Sequence, residues 1–316
     1  MATGSRLIRR VGICGVGQMG AAAAVCYKRA GYHVTVWDED PQVLHSASDT
    51  FADLESWLLE HAGPPSAHGG VCETAGGLQD LGAQADLIMD CITEDMAEKV
   101  RLFRALRPTA REDVLYITTT SGLSITGLGE ASGIEPSLVG THFWNPPHLM
   151  PLVEVIRGRH TTDGAVDRVV EVIESIGKIP VRVNRDVPGF IGNRLLHAMW
   201  REAIHLVQEG VASAEDIDRV ARLTFGLRAP AVGPLENMDL VGLDLIKAIH
   251  EYLLRDLSND TEPLPALERH LADGNLGMKT GHGFYDWQMR DGRRLLERRN
   301  RQIVHQLAFL RESDLL

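Results

Sequence analysis

The stretch VGICGVGQMGAAAAVCYKRAGYHVTVWDED, Val11–Asp40, decides the fold. An apolar run meets glycines at 15, 17 and 20, then an alanine-rich helical pattern; a β-branched run, HVTVW, follows and ends in Asp38. GxGxxG alone is weak evidence, but here it lies between a predicted strand and a predicted helix, with a carboxylate roughly 20 residues on. In that setting the first glycine makes a tight turn and the second lets backbone approach a pyrophosphate. The third permits close helix–strand packing, and the helix N-terminus faces the anion. Gly15, Gly17 and Gly20, with Gln18 and Met19 beside them, are therefore candidate cofactor residues. Asp38 suits the adenosine ribose 2′-hydroxyl, and Glu39 and Asp40 add charge that repels a 2′-phosphate. The expected cofactor is NAD rather than NADP. The bland alternative is a glycine-rich turn that binds no nucleotide.

Outward from this unit, short apolar runs keep alternating with helical patterns, the signature of a parallel, doubly wound sheet. Strands are predicted at 10–14, 33–37, 86–91, 114–118, 138–143, 152–156 and 179–183, and helices near 19–30, 42–61, 95–106 and 163–176. AGPPSAHGG, residues 62–70, reads as a loop. After Asp186 the strand signal stops. DVPGFIGNRLL opens a helix to about Gly210, and Ser213 in SAEDID is a plausible N-cap. Further helices are predicted at 213–225, 235–256 and 292–310. The expected fold class is α/β: a Rossmann domain over residues 1–186, then an all-helical domain over 187–316.

Composition narrows the function classes. A formal net charge of −11 disfavours nucleic acid as a general partner. No apolar run approaches the roughly 18–20 residues of a spanning helix, and MATGSRLIRR has no signal-peptide core. No membrane partner is expected. Cys14, Cys26, Cys72 and Cys91 lie in or beside apolar segments without CxxC spacing. They read as reduced core residues of a cytoplasmic protein without a metal site.

A second stretch, THFWNPPHLMPLVEVI at 141–156, carries the chemistry. Glu154 interrupts an apolar strand, and a buried carboxylate is costly unless it is paired. If NPP reverses the chain, LVEVI returns beside His142 and the pair meets. Glu154 then fixes the imidazole tautomer and stabilises the imidazolium, which makes His142 a general base for alcohol oxidation with NAD. The alternatives are a satisfied core histidine and a solvent-facing glutamate.

At these residues the chain resembles the 3-hydroxyacyl-CoA dehydrogenase family, over nearly its whole length. GVGQMG, ITEDMAEK, TTSGLSIT, HFWNP, LVEVI, DVPGFIGNRLL, GPLENMDLVGLD and GMKTGHGFYDW recur in the family's order and spacing. The resemblance implies a Rossmann domain followed by a helical dimerisation domain of the 6-phosphogluconate dehydrogenase C-terminal type. It implies His142 as catalytic base, Glu154 as its partner, Ser121 on the substrate oxygen and Asn193 as a second substrate contact. It places Asn145 near the nicotinamide and Glu94 and Lys99 on the cofactor side. Read without the resemblance, Ser121 caps a helix, Asn193 bridges within the second domain, and Glu94 and Lys99 form a surface pair.

Three departures bear on the substrate. TSG stands where the family has TSS, LMPLVEV lacks a basic residue, and no Lys or Arg occurs between Arg29 and Lys99. The segment 41–80 instead carries Asp49, Asp53, Glu55, Glu60, Glu73 and Asp80. Phosphate recognition there lacks the charge-assisted bonds that normally hold it. In these segments the chain is similar to the family's small-hydroxy-acid branch: L-gulonate 3-dehydrogenase (lambda-crystallin), carnitine dehydrogenase and the pyridine-carboxylate 5-dehydrogenase of vitamin B6 degradation. The expected substrate is a small carboxylate-bearing alcohol, with a short-chain 3-hydroxyacyl-CoA as the alternative and a non-catalytic NAD-binding protein as the third reading. Arg228, before GP, is a candidate partner for the carboxylate; a solvent-exposed loop arginine is the other reading. His148 either lines the pocket or faces solvent. Leu195, Leu196, Met199, Ala203, Leu206 and Val207 form an apolar helix face, so a homodimer is expected.

Overall fold

The computed structural model describes residues 7–67, 69–313 and 315. The start of the N-terminal segment (residues 1–6) and position 68 of the expected 62–70 loop lie outside the described residues. The chain divides into two compact units, one running to Asn193 and the other starting at Arg194.

The first unit is built on one sheet of β1 (Arg10–Cys14), β2 (His33–Trp37), β3 (Val71–Thr74), β4 (Leu87–Asp90), β5 (Leu115–Thr118), β6 (Leu138–Phe143), β7 (Leu152–Arg157) and β8 (Ile179–Val183). The spatial order is β3-β2-β1-β4-β5-β6-β7-β8. Neighbours from β3 to β6 pair in parallel, joined by crossovers. The short connection from Trp144 to Pro151 holds no crossover helix, so β7 returns antiparallel to β6. The helices of this unit are α1 (Gln18–Arg29), α2 (Pro41–Ala62), α3 (Leu78–Gln84), α4 (Met96–Leu106), α5 (Ile125–Ser132) and α6 (Asp163–Ser175). Asp40, Asp95, Ser124 and Thr162 cap α2, α4, α5 and α6 by accepting from backbone N–H groups of the first turn.

Strands covered on both faces read as continuous apolar runs. Ile13, Val34, Val36, Leu87 and Met89 pack on one face with α1 and α6, while Ile88, Tyr116 and Leu138 pack on the other with Phe103, Leu106 and Ile125. Three elements depart from the sequence expectation. β3 is a four-residue edge strand bearing Glu73, too short to show alternation. α3 has only seven residues, and α5 carries Gly127 and Gly129, which lower its helical signal although Ser124 and Gly133 bound it.

α7 (Gly192–Gln208) begins at the end of the first unit. The second unit continues with α8 (Ala214–Leu223), α9 (Phe225–Arg228), α10 (Pro234–Val241), α11 (Leu243–Leu253), α12 (Pro265–Ala272) and α13 (Gly292–Glu312). Ser213 caps α8 as expected. The single helix expected over 235–256 is broken at Gly242, whose φ of +102° ends α10. α12, entered through Pro265, had no strong periodic signal. No helix among the described residues is long and apolar enough to cross a membrane.

Candidate active site

The glycine turn does what its spacing requires. Gly15 has φ +91°, and a Cβ there would lie 2.6 Å from the Cys91 carbonyl oxygen. A Cβ on Gly20 would lie 1.9 Å from the Gly15 oxygen, so only glycine lets α1 start this close to β1. A Cβ on Gly17 would meet nothing within 4 Å; the space beside it is open at the α1 N-terminus. Gln18 is the exposed first residue of α1, and Met19 packs against the core.

Asp38 sits at the end of β2, where Oδ2 accepts from Val16 N at 2.7 Å and Oδ1 from Asp40 N at 3.0 Å. Gly15, Gly17, Trp37, Asp38, Ile92 and Thr93 line a cleft of about 490 Å³. It lies at the carboxyl ends of β1 and β4, where the winding direction of a doubly wound sheet reverses and ligands bind. The donor set fits a dinucleotide: close-approach glycines and a helix start for the pyrophosphate, and a carboxylate for a ribose diol.

His142 and Glu154 are register partners across β6 and β7. His142 Nδ1 lies 2.7 Å from Glu154 Oε2, and both residues are buried. Glu154 Oε1 accepts two backbone bonds, from Ile191 N at 2.8 Å and Gly192 N at 3.0 Å. These are N–H groups at the start of α7, which would otherwise lack intrahelical acceptors. Burial alone pushes the Glu154 carboxyl up, but the hydrogen bonds from His142, Gly192 and Ile191, with the charge of the imidazole, hold it below the ordinary glutamate value. An ionised carboxylate only accepts, so Nδ1 donates to Oε2, and in the neutral ring Nε2 is the nitrogen that carries the lone pair.

Trp144 and Phe190 pack beside the imidazole, with ring centroids 5.0 and 5.8 Å away. A Cβ on Gly192 would lie 2.2 Å from the Trp144 ring, so glycine lets the indole cover the backbone that serves Glu154. Phe190 has φ +50°, a strained conformation for a bulky residue, held in a buried position next to this turn.

Ser121 is exposed on the loop after β5. It does not cap the following helix; Ser124 does, and Ser124 Oγ also donates to Asp186 at 2.7 Å. Glu94 Oε1 accepts from Thr120 Oγ1 at 2.6 Å and from Ser121 N at 2.8 Å, so it fixes the Ser121 backbone. Asn193 Nδ2 donates to the Ser121 carbonyl oxygen at 3.0 Å. The structure thus brings Glu94, Ser121 and Asn193 together.

Lys99 is not part of a surface pair with Glu94. It is fully buried, with Nζ 2.7 Å from Asp90 Oδ2, which also accepts from Thr118 Oγ1 at 2.7 Å. A buried acid at the end of β4 requires this cation, so Lys99 turns inward. Asn145 is exposed at the start of the turn after β6. His148 is half-buried, its ring 5.7 Å from Trp57 of α2, so it neither faces solvent freely nor stands as an isolated turn residue. Arg228 ends α9 of the second unit and is exposed.

Sequence reasoning missed Thr120, Asp90 and the backbone donors at 191 and 192. Asp90 offered the same signal as Glu154, a carboxylate closing an apolar strand, LIMD. The backbone donors have no side-chain signature.

Residues 10–187 match the family model of the 3-hydroxyacyl-CoA dehydrogenase NAD binding domain, and residues 189–287 match that of the 3-hydroxyacyl-CoA dehydrogenase C-terminal domain. The chain is 32% identical over 300 residues to 5-formyl-3-hydroxy-2-methylpyridine 4-carboxylate 5-dehydrogenase of Mesorhizobium japonicum, covering 94% of this chain and 97% of that protein. It is 38% identical over 283 residues to a probable 3-hydroxybutyryl-CoA dehydrogenase of Deinococcus radiodurans, covering 88% of this chain and all (100%) of that one. Among solved structures, a pyridine-carboxylate 5-dehydrogenase described as an NAD+-dependent dismutase superposes with a TM-score of 0.91 at 32% identity, covering 96% of this chain and 99% of the other. (S)-3-hydroxybutyryl-CoA dehydrogenase from Ralstonia eutropha superposes with a TM-score of 0.73 at 32% identity, over 89% of this chain and 99% of the other.

Proposed function

The chain belongs to the 3-hydroxyacyl-CoA dehydrogenase family, and on that premise we propose that it oxidises the hydroxyl of a small carboxylate-bearing substrate with NAD. The single observation that carries this reading is the buried His142–Glu154 pair at 2.7 Å. Bound NAD supplies the hydride acceptor. His142 Nε2 takes the hydroxyl proton, and Glu154 stabilises the imidazolium that forms. Ser121, on the Glu94-braced loop, and Asn193 of α7, which donates to the Ser121 carbonyl, hold the substrate oxygen; Asn145 contacts the nicotinamide side.

The acid-rich, Lys- and Arg-free run from 30 to 98 supports a small acid over CoA, since it offers no cation to a phosphate. Arg228 is assigned to the substrate carboxylate, a bidentate geometry that suits guanidinium. The likeness to the pyridine-carboxylate enzyme adds weight to a compact carboxylate substrate. The second reading, a short-chain 3-hydroxyacyl-CoA, rests on the 38% identity to the Deinococcus protein. Leu195, Leu227, Leu235 and Leu240 are 61–75% exposed within the second unit, which supports a homodimer that covers them. The free thiols of Cys14 and Cys26, buried in the core, suit a reducing compartment such as the cytoplasm.

A panel of free hydroxy acids and 3-hydroxyacyl-CoAs, followed by NADH absorbance, tests the assignment. Turnover confined to the acyl-CoAs would overturn the small-acid reading, and an unchanged KM in Arg228→Ala would remove the carboxylate contact.

A further inference from the structure

The turn from Trp144 to Pro151 joins the two strands of the catalytic pair and is rich in acceptors. Pro146, Pro147 and Pro151 remove three N–H donors from it. Leu149 N and Met150 N both donate to the Pro146 oxygen, each at 3.0 Å. The carbonyls of Pro147, Met150 and Pro151 therefore take donors from outside the turn, because a buried carbonyl without a partner is costly.

Lys178 is the side chain that meets this need. Its Nζ donates to the Pro147 oxygen at 2.7 Å and to the Met150 oxygen at 2.8 Å. Next along the chain, Ile179 N donates to the Pro151 oxygen at 2.8 Å. Lys178 is only 9% exposed, and no carboxylate pairs with it among the described residues. A buried ammonium without a counter-ion is expensive. Here its compensation comes from the carbonyl dipoles of one turn, so the charge and the turn conformation support each other. The Cys26 thiol of α1 reaches the same Pro147 oxygen at 3.9 Å, and Trp57 of α2 packs on His148. The turn is thus seated on the two helices that follow the strands of the cofactor cleft.

We propose that Lys178 is a positioning residue: its ammonium clamps the 144–151 turn and so sets Asn145 for the cofactor. It does not touch substrate or the reacting atoms. This inference rests on the dehydrogenase reading for its catalytic consequence, whereas the clamp itself does not.

The test uses the full-length Lys178→Met protein, which keeps chain length and loses the donor. Hydrogen exchange at the Leu149 and Met150 amides is expected to rise by about tenfold or more as the turn opens locally. With a turned-over substrate, kcat is expected to fall by about tenfold or more, since small misplacement near the chemistry is expensive. The dissociation constant of ADP-ribose, which lacks the nicotinamide, is expected to stay within about threefold, because the glycine turn and Asp38 are untouched. Unchanged exchange overturns the clamp. Faster exchange with unchanged kcat overturns the positioning role, and a loss of ADP-ribose affinity in step with kcat overturns it in favour of general damage. If Lys178→Met does not fold, Lys178→Gln, whose shorter, uncharged amide no longer bridges both carbonyls, is judged by the same readouts. Absence of turnover in the wild-type protein would sink the dehydrogenase reading alone, and amide exchange would still decide the clamp.

Discussion

His142 and Glu154 face each other across antiparallel strands, 12 positions apart in sequence and 2.7 Å apart in space. The two oxygens of Glu154 are divided: Oε2 serves the imidazole and Oε1 serves the amides of Ile191 and Gly192, where α7 begins. This division makes the acid an orienter rather than a proton acceptor. Its carboxylate is satisfied on both sides and held ionised, so the ring is fixed in the tautomer with Nε2 free.

Replacing His142 by Gln removes the base and leaves the cofactor cleft intact. NADH formation is expected to fall by on the order of 10²–10⁴-fold. NADH affinity, measured by fluorescence titration, is expected to be nearly unchanged. Turnover close to wild type in His142→Gln would reject the base assignment.

Glu154→Gln is a sharper probe, because the backbone dictates how the introduced amide sits. Ile191 N and Gly192 N require an acceptor, so the carbonyl oxygen of that amide turns to them and its NH₂ faces His142. Nδ1 must then accept, the ring proton moves to Nε2, and the base is blocked. A loss in kcat of the same order, about 10²–10⁴-fold, is expected with the fold retained. The acid limb of stability changes as well. The native carboxyl is held below the ordinary glutamate value, so it adds stability above the unfolded-state pKa. That contribution is lost as pH falls through the depressed native value. Thermal melts from neutral to acid pH are expected to fall less steeply in Glu154→Gln than in wild type; parallel curves would refute the linkage.

The His142–Glu154 contact was legible because a carboxylate in an apolar strand demands a partner and a proline turn supplied one in register. The same logic applied to Asp90, yet its partner Lys99 comes from the next helix, nine residues on, and only the folded strand–helix packing reveals the pair. The hydrogen bonds that brace the Ser121 loop were not legible: Glu94 acts through Thr120 and a backbone amide. Lys178 gave no signal at all, since its partners are carbonyls. In the fold, strands buried on both faces were plain, whereas edge strand β3 had neither length nor alternation. Gly242 broke a helix whose apolar periodicity continues across the break.

The Asp90–Lys99 pair predicts a large stability effect from a residue outside the reacting centre. Lys99→Met leaves Asp90 buried, with Thr118 and the Ile92 amide as remaining donors. Breaking a buried pair in this way costs about 3–5 kcal/mol. Pairing the change with Asp90→Leu removes the orphaned charge and is expected to recover most of that loss. Urea denaturation of the single and double variants checks both figures; a double variant no more stable than the single would contradict the pairing.

The glycine turn allows cofactor affinity and stability to be separated by two neighbouring substitutions. At Gly20 a methyl group would sit 1.9 Å from the Gly15 oxygen, a backbone atom that cannot move without shifting α1 away from β1. Gly20→Ala is therefore expected to lower the melting temperature by several degrees, as a loss of about 1–3 kcal/mol does, and to weaken NAD binding with it. At Gly17 the same methyl group meets no protein atom within 4 Å, and the backbone lies in a region open to any residue. Gly17→Ala is expected to leave the melting temperature of the unliganded protein unchanged. The methyl group instead enters the space through which a pyrophosphate approaches the amides of the turn. NAD affinity should drop by about tenfold or more, the equivalent of one lost close contact to an anion. Calorimetric titration of both variants with NAD, beside their melts, separates the two effects. Full NAD affinity in Gly17→Ala would place the dinucleotide elsewhere than on this turn.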